Sequence, residues 1–320
     1  MIELLACGPL VTVQDAGRPG YLSQGLAQGG AADRMALAEA ERLLGEAGAG
    51  IETPGAPLRL KLDAPMRLAL TGAPMRASVA GRALEWNTAQ TLPDGAVLDL
   101  KPAGRGVYSY LHVQGGLRTE AVLGSRAAHL IAGIGRPLEA GDRLPCEASE
   151  GPALRIVPQD RFGGGEIRLL PTPQTRLFPE AERARFAATA FTRDPRGNRQ
   201  GVRLDMDGGG FATEGQLSLL SDFILPGDIQ MTGDGVPYIL GPECQTTGGY
   251  PRIGTVIGAD LPRALQAPPG ATLRFRFVTA EEARAAATPP AKPQPLVRDP
   301  REVDLYGAQL IGGVVSARAP

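Results

Sequence analysis

The amino-acid sequence predicts a mainly β protein, built as a β-barrel or a β-sandwich with a few short helices. Glycine (43 residues) and proline (29 residues) each occur at roughly twice their usual share without a collagen period, whereas aromatic residues make up only 5% of the chain. Short apolar runs bounded by glycine or proline recur throughout. Such a chain forms many short strands joined by tight turns.

Each predicted strand is a short run, and several of these runs alternate apolar with polar side chains. This period of two is typical of a strand with one buried face. The runs cover residues 58–62, 66–70, 107–113, 154–157 and 273–278. The turn motif P-x-G-x-x-L, with variations, precedes strands at residues 93–100, 139–146 and 268–275, and a relative of it covers 225–230. Repetition of this kind favours a barrel or sandwich over alternating strands and helices.

Three short helices interrupt the strands. They are expected at residues 33–44, at residues 180–190, and from about residue 280. Asp33 is the expected N-cap of the first helix, and Gly45 is its expected C-terminal stop. Residues 288–295 (TPPAKPQP) are interpreted as an extended linker, and the following VDLYGAQLIGGVVSA as a strand that docks on the body.

The chain divides into two halves of similar size and texture. A second run of strands begins after the turn at residues 137–145. We therefore predict a β-rich first half at residues 1–150, a β-barrel half at 151–285, and a linker and docking tail at 286–320.

Composition excludes several classes of function. The formal net charge of -1 provides no general attraction for nucleic acid or an anionic membrane. Three scattered cysteines favour a reducing compartment, and the start resembles no signal peptide, so a cytoplasmic location is expected. Only two histidines occur, His112 and His129, so a histidine-rich metal site is not expected.

Standard catalytic and nucleotide motifs are missing from the sequence. The glycine-rich stretches lack the Lys-Ser/Thr of a Walker loop and the strand–helix context of a dinucleotide fold, so turns are the better interpretation. No G-x-S-x-G elbow occurs. His112 is interpreted as a structural or barrel-lining group, and Cys244 as a small buried residue.

Two segments combine polar side chains with glycine in a way that ordinary turns do not require. The opening segment, residues 11–34, reads VTVQDAGRPGYLSQGLAQGGAADR. The distal segment, residues 229–261, contains the run QTTGGY at 245–250. Consecutive threonines and glycines offer hydroxyls and backbone N–H groups that can hold a carboxylate or phosphate oxygen. We expect the two segments to form opposite walls of one cavity.

These segments also carry a family resemblance. VQDAGRPGY, GGAADRMALAEAERLLG, YSYLHVQGGL, GRPLEAGDRL and DGVPYILGPECQTTGGYPRIGTVIGADL occur in order over residues 3–280. The sequence resembles the family of allophanate-hydrolase subunit 2 and kinase-inhibitor-antagonist proteins, which includes the C subunit of the bacterial ATP-dependent 5-oxoprolinase. It is also similar to a module of the carboxyltransferase region of urea carboxylase. GGAAD stands where the family usually has SGAMD, and Arg199-Gln-Gly where it has R-M-G.

The resemblance implies a cyclophilin-like β-barrel fold and a multi-subunit enzyme. The implied partners are the B subunit of that enzyme, which has a related barrel, and its A subunit. The implied reaction converts 5-oxo-L-proline to L-glutamate while ATP becomes ADP and phosphate, with ATP and Mg²⁺ acting at the level of the complex. The three lysines lie in LKL, LKP and AKP, none of them a biotin-attachment hairpin, so no biotin is expected on this chain.

Roles for single residues follow as hypotheses. Arg18 would neutralise a carboxylate or phosphate oxygen, and Asp15 or Asp234 would hold Mg²⁺ or take the lactam proton. The remaining candidates, all assigned to substrate binding, are Gln14, Tyr21, Asp33, Gln230, Gln245, Thr246, Thr247, Gly248, Gly249 and Tyr250. Two alternatives stay open: a carboxyltransferase that takes CO₂ from carboxybiotin on another chain, and a non-enzymatic antagonist that binds a kinase-inhibitor partner.

Overall fold

The computed structural model of the chain describes residues 1–213, 219–287 and 289–296. Within these ranges the chain forms a two-sheet sandwich followed by a closed seven-stranded barrel, with four short α-helices around them. The predicted mainly β fold with a barrel and few helices is thus confirmed. None of the helices in the described ranges is long and apolar enough to cross a bilayer.

The sandwich is built from the first twelve strands. They are β1 (Ile2–Cys7), β2 (Thr12–Gln14), β3 (Gly50–Thr53), β4 (Leu58–Leu62), β5 (Met66–Gly72), β6 (Met75–Val79), β7 (Arg82–Leu84), β8 (Thr88–Leu92), β9 (Val97–Pro102), β10 (Ser109–Val113), β11 (Arg143–Leu144) and β12 (Leu154–Arg155). One sheet has the order β11-β1-β4-β9-β6-β7. The other has the order β2-β3-β10-β5-β8-β12 and ends on a late strand, β22 (Gln294–Pro295).

Alternating side chains explain why these sheets face each other. In β4 the leucines at 58, 60 and 62 are buried and the basic residues between them are exposed. They pack with Leu68 and Leu70 of β5 in one apolar cluster between the sheets. Every residue of β5 is buried, because the helix α1 (Arg34–Leu44) covers its other face.

The barrel contains seven strands from the second half. They are β13 (Gly165–Leu170), β14 (Phe191–Arg193), β15 (Gly201–Asp205), β17 (Asp228–Met231), β18 (Pro237–Leu240), β20 (Arg252–Val256) and β21 (Thr272–Phe277). Beside it, β16 (Asp222–Phe223) and β19 (Thr247–Gly248) pair as a two-stranded ribbon. Phe186, Phe191, Phe211 and Phe275 stack in the barrel core with ring centroids 4.9–6.0 Å apart.

Buried polar groups connect sandwich and barrel. Gln266, in the helix α3 (Leu261–Gln266), accepts the backbone N–H groups of Val107 and Tyr108 at 2.9 and 2.8 Å. Its Nε2 donates to Asp33 at 2.8 Å. One side chain of the barrel half is thereby bonded to two separate parts of the sandwich half.

An ion cluster strengthens this connection. Arg161 donates to Asp33 at 2.7 Å and to Glu39 at 2.8 Å, and all three side chains are buried. Satisfied networks of this kind fix one relative position of the two halves.

The predicted helices are confirmed, and α3 was missed. Asp33 caps α1 by accepting Ala36 N–H at 3.0 Å, and Gly45 ends it with a φ of 82°. The second helix is α2 (Glu180–Ala188), and the last is α4 (Ala280–Ala285). LPRALQ in α3 is too short to show a helical period, so no local pattern indicates it.

The predicted strands are also present, with ends shifted by a few residues. β12 still pairs with β8, and the barrel begins at Gly165, so the passage between the halves runs through residues 156–164. Within the predicted linker, Gln294–Pro295 forms β22 on β12. The VDLYGAQLIGGVVSA tail lies outside the described residues.

Candidate functional site

A cleft of about 330 Å³ lies where the barrel meets the β16–β19 ribbon, and we call it the barrel cleft. Its lining contains three of the predicted substrate-binding residues: Gln230, Gln245 and Tyr250. Four primary amides converge there, since Asn198 and Gln200 join the two glutamines. An amide side chain both donates and accepts hydrogen bonds, so this lining suits a ligand that does the same.

Gln230 is the most informative residue of the barrel cleft. It lies on β17 and is 8% exposed, yet its Nε2 has no hydrogen-bond partner among the described residues. Gly248 allows this position, because a Cβ there would lie 2.6 Å from that nitrogen. A buried donor without a partner is costly, and a ligand acceptor would satisfy it.

The floor of the barrel cleft is apolar. Ile224, Leu240 and Cys244 form a small buried cluster there. Burial, with a contribution from Asp228, raises the pKa of the Cys244 thiol to about 12. Because the thiol stays protonated near neutral pH, Cys244 acts as a small apolar residue, as the sequence interpretation held.

A fixed cation stands at the rim of the barrel cleft. Arg196 is exposed, and its Nε and Nη2 donate to the buried carboxylate of Asp194 at 2.9 and 2.6 Å. Arg203 donates to the same carboxylate at 2.7 Å. This arrangement holds the Arg196 guanidinium in place and leaves its Nη1 edge for an anionic group.

A second and larger cleft of about 680 Å³ lies between sandwich and barrel, and we call it the inter-half cleft. Asn198 and Gln200 line both clefts, whereas Arg199 lines only this one. Backbone bonds from Glu243 to Arg199 (2.9 Å) and from Gly241 to Gln200 (2.8 Å) build the wall between the clefts. The loop before β15 therefore contributes side chains to both.

An ion triad forms part of the floor of the inter-half cleft. Arg199 donates to Glu243 at 2.5 Å and also pairs with Glu52. Burial acts to lower the pKa of Arg199, but the charges of Glu52 and Glu243 outweigh it and raise that pKa. The far oxygen of Glu52 accepts from Ala32 N–H, and that of Glu243 from Leu130 N–H, at 2.9 and 3.0 Å. Both carboxylates are therefore fully engaged.

Asp15 and Arg18 of the opening segment form hydrogen bonds within the protein. Asp15 accepts hydrogen bonds from Gly17 N–H, Ser125 Oγ and Arg126 N–H at 2.8, 2.6 and 2.7 Å. Arg18 is 1% exposed and donates to the carbonyls of Val122 and Ala127. Both side chains are bonded within the protein, while Arg18 Nη1 is buried without a partner among the described residues. The hypotheses that Arg18 binds a substrate anion and that Asp15 binds Mg²⁺ or takes a proton stay predictions.

The other predicted residues of the opening segment are placed in a similar way. Gln14 is fully buried and donates to Thr12 and to the Ala128 carbonyl at 3.0 and 3.1 Å. Asp33 caps α1, as described above. Tyr21 is half-buried and precedes a single 3₁₀ turn. The carbonyl of Tyr21 accepts backbone hydrogen bonds from this turn and the residues after it. None of these residues lines the barrel cleft.

The two polar segments touch but do not form opposite walls of the barrel cleft. Their contact is a bond from Gly29 N–H to the Pro242 carbonyl at 3.1 Å. The expected cavity between them would need open side chains from both, whereas the opening segment is packed under residues 122–129. This part of the prediction is corrected.

Within the distal segment, the threonines and glycines predicted to hold a carboxylate or phosphate oxygen also have structural roles. Thr247 and Gly248 form β19, and the Thr246 carbonyl accepts Ile224 N–H at 3.1 Å. Gly249 follows the strand and is exposed. Asp234 is exposed in the turn between β17 and β18 and lines neither cleft. Across the described ranges, no three His, Cys, Asp or Glu side chains come together as a metal site would require.

Sequence reasoning missed the charged residues of both clefts. Arg196, Arg199 and Glu243 stand in ordinary turn-like sequence, and Glu52 lies in a short strand. The departure at Arg199-Gln-Gly was the one available signal, since it marks the loop that separates the clefts. Charge pairing across 147 residues, as between Glu52 and Arg199, leaves no local pattern.

Comparison with known proteins agrees with this architecture. The chain is 34% identical over 300 residues to the 5-oxoprolinase C subunit of Escherichia coli (strain K12), covering 89% of this chain and 94% of that protein. It is 32% identical over 293 residues to the 5-oxoprolinase C subunit of Haemophilus influenzae (strain ATCC 51907 / DSM 11121 / KW20 / Rd), covering 88% and 93%. Both relatives are thus named as one component of a multi-subunit enzyme.

Solved structures share the fold. The crystal structure of TTHA0988 superposes with a TM-score of 0.76 at 29% identity, covering 86% of this chain and 55% of that one. This chain therefore spans about half of that longer protein. The Kluyveromyces lactis urea carboxylase superposes with a TM-score of 0.78 at 23% identity, over 88% and 28% of the two chains.

A family match covers most of the chain. The carboxyltransferase domain, subdomains A and B, matches residues 24–277. These residues include the barrel and most of the sandwich, together with most of the lining of both clefts. The chain belongs to the family of the carboxyltransferase domain, subdomains A and B.

Proposed function

We propose that this chain is the C subunit of a 5-oxoprolinase complex, which opens the ring amide of 5-oxo-L-proline to give L-glutamate in an ATP-dependent reaction. The proposal is carried by identity to two proteins named as the C subunit of 5-oxoprolinase, over about nine-tenths of the chain. The B and A subunits of such a complex are the proposed partners. The barrel cleft is the proposed position of the cyclic amide.

The chemistry of the barrel cleft supports this substrate. A five-membered lactam has one N–H donor, one carbonyl acceptor, an apolar ring edge and a carboxylate. The amides of Gln230 and Gln245 can pair with the lactam group, while Ile224 and Leu240 contact the ring methylenes. Arg196 at the rim can hold the carboxylate through its remaining edge.

Within this proposal the chain binds and orients the lactam. The unpartnered Gln230 Nε2 donates to the lactam carbonyl oxygen, and the wall residues Asn198 and Gln200 restrict water around it. When bound at the level of the complex, ATP with Mg²⁺ would supply the phosphoryl group that activates this oxygen.

The test is co-expression with the A and B subunits and measurement of ADP and glutamate release from 5-oxoproline, with and without avidin. We expect turnover that requires all three proteins and that avidin leaves unchanged. The family match to a carboxyltransferase domain favours one second candidate, transfer of CO₂ from carboxybiotin on another chain to an amide-like nitrogen. Avidin-sensitive turnover would support that candidate and refute ours.

A further inference from the structure

The inter-half cleft has no role in the proposed function, and its lining has a distinctive composition. Its walls are largely apolar and rich in proline, including Pro9, Leu10, Pro54, Pro57 and Ile131. Leu10 and Ile131 remain more than half exposed at 53% and 60%. Its volume of about 680 Å³ lies in the range of sites for organic ligands, which extends from about 300 to 1,000 Å³.

Arg193 stands in this cleft as a buried cation with no hydrogen-bond or ion-pair partner for its side chain in the described part of the chain. It ends β14 and lines the cleft, and it is 3% exposed. Among the described residues its side chain makes no hydrogen bond and has no carboxylate within ion-pair distance, and its Nε is buried without a partner. Asp194 next to it is already occupied by Arg196 and Arg203.

Other buried arginines of this chain show how unusual this is. Arg161 pairs with Asp33 and Glu39, and Arg199 pairs with Glu52 and Glu243. Arg18 and Arg67 are also buried and have no carboxylate partner among the described residues, but they donate to backbone carbonyls, as the side chain of Arg193 does not. A buried charge is normally compensated, because removing the ion from water costs on the order of several kcal/mol. The open guanidinium of Arg193 is therefore able to pair with the anionic group of a ligand.

Two further features fit the site to an anion. Tyr108 lines the same cleft and is buried. Burial and the charge of Glu52 raise its pKa to about 12, so the hydroxyl remains a donor. Gly197 also lines the cleft, and a Cβ there would lie 2.7 Å from Arg193 Nη2, so this glycine makes room for the guanidinium.

The carboxylates that line the inter-half cleft do not compensate Arg193. Glu52 and Glu243 both pair with Arg199, and each also accepts a backbone N–H. Glu52 accepts a further bond from Tyr110 Oη at 2.6 Å. Because these bonds hold both carboxylates in place, they do not turn freely toward Arg193. The position beside Arg193 therefore suits a single anionic group from a ligand.

We propose that the inter-half cleft binds an organic anion, with one carboxylate or phosphate group against Arg193 and Tyr108 and an apolar body against the proline-rich walls. This site is separate from the barrel cleft and does not depend on 5-oxoproline as substrate. A chain inactive toward 5-oxoproline would still bind such an anion.

Calorimetric titration of the full chain tests the proposal with simple probes. Benzoate and phenyl phosphate carry the two candidate groups on an apolar ring, benzyl alcohol has the ring without charge, and inorganic phosphate has the charge without the ring. We expect at least one of the two aromatic anions to bind more tightly than both controls. The tighter of the two identifies the anionic group. Benzyl alcohol binding as tightly as both anions, or no binding by either anion, would overturn the proposal.

Variants then locate the site. Arg193→Met should weaken binding of the aromatic anion about tenfold or more, since a charge-assisted hydrogen bond is lost. Arg59→Met is the matched control, because Arg59 lies exposed on β4 and pairs with Asp99. If Arg193→Met does not fold, Tyr108→Phe and Gly197→Ala take its place and should each weaken binding. Unchanged affinity in the folded variants would refute the site.

Discussion

The opening segment (residues 11–34) and the distal segment (residues 229–261) look alike in sequence but differ in the fold. Both place acidic, amide and aromatic side chains among glycines. In the opening segment, Gln14, Arg18 and Asp33 are buried and bonded to backbone or to other buried side chains. In the distal segment, Gln230 and Gln245 line an open cleft.

This difference separates polar residues that the fold uses from those proposed to bind a ligand. Asp15 has three protein hydrogen bonds, whereas Gln230 Nε2 has none among the described residues. Density of polar residues beside glycine is the same in both cases. A polar group with bonds to spare, next to a cavity, is the better indicator of ligand binding.

Among the tests of this comparison, Asp33→Ala is expected to have the largest effect on the free energy of unfolding. The substitution removes the cap of α1 and leaves Gln266 and part of Arg161 without their buried acceptor. We expect a loss of about 3–5 kcal/mol in the free energy of unfolding, measured by urea denaturation. Asp234→Ala, in an exposed turn of the distal segment, should change it by less than about 0.5 kcal/mol. Equal effects would remove the distinction between the segments.

The stability of the protein is expected to depend on pH through His112, which is buried in the sandwich. Burial lowers the pKa of His112 from 6.5 to about 4, and neither ring nitrogen has a partner among the described residues. The unfolded chain takes up this proton first, so stability is full above pH 6.5 and falls as pH decreases toward 4. The expected slope is about 1.4 kcal/mol per pH unit.

The measurement compares urea denaturation of the protein and of His112→Phe between pH 7 and pH 4.5. Phenylalanine keeps a ring beside Tyr110 but does not titrate. The difference between the two curves should therefore change steadily below pH 6.5, as the protein loses stability that the variant keeps. Parallel curves would show that burial does not lower the pKa of His112.

A smaller loss of stability is expected from Asp15→Ala. Its carboxylate accepts three hydrogen bonds, two of them from residues 125 and 126, so it ties the opening segment to a distant loop. We expect a loss of about 2–3 kcal/mol, typical of hydrogen bonds to a charged group. Asp94→Ala, exposed in the turn before β9, is the control. Loss of 5-oxoproline turnover at unchanged stability would instead restore a catalytic role for Asp15.

Much of the fold could be predicted from the sequence, but less of the site. Local signals, such as the leucine alternation at 58–62 and the Asp33 cap, placed strands and helices correctly. Gln230, Gln245 and Tyr250, which line the barrel cleft, were predicted because polar residues interrupt apolar runs there. The buried state of Arg18 and the triad around Arg199 depend on contacts between residues far apart in the chain, which local patterns do not record.

The smallest effect on stability, and the most direct test, comes from Gln230→Leu. Because this change removes a buried donor that has no partner among the described residues, the free energy of unfolding should be unchanged or higher by up to about 1 kcal/mol. In the complex with the A and B subunits, kcat/KM for 5-oxoproline should fall about tenfold or more. Gln114→Leu changes a half-buried glutamine that lines neither cleft, and it should leave kcat/KM for 5-oxoproline unchanged. Wild-type turnover in Gln230→Leu would contradict the assignment of the lactam to the barrel cleft.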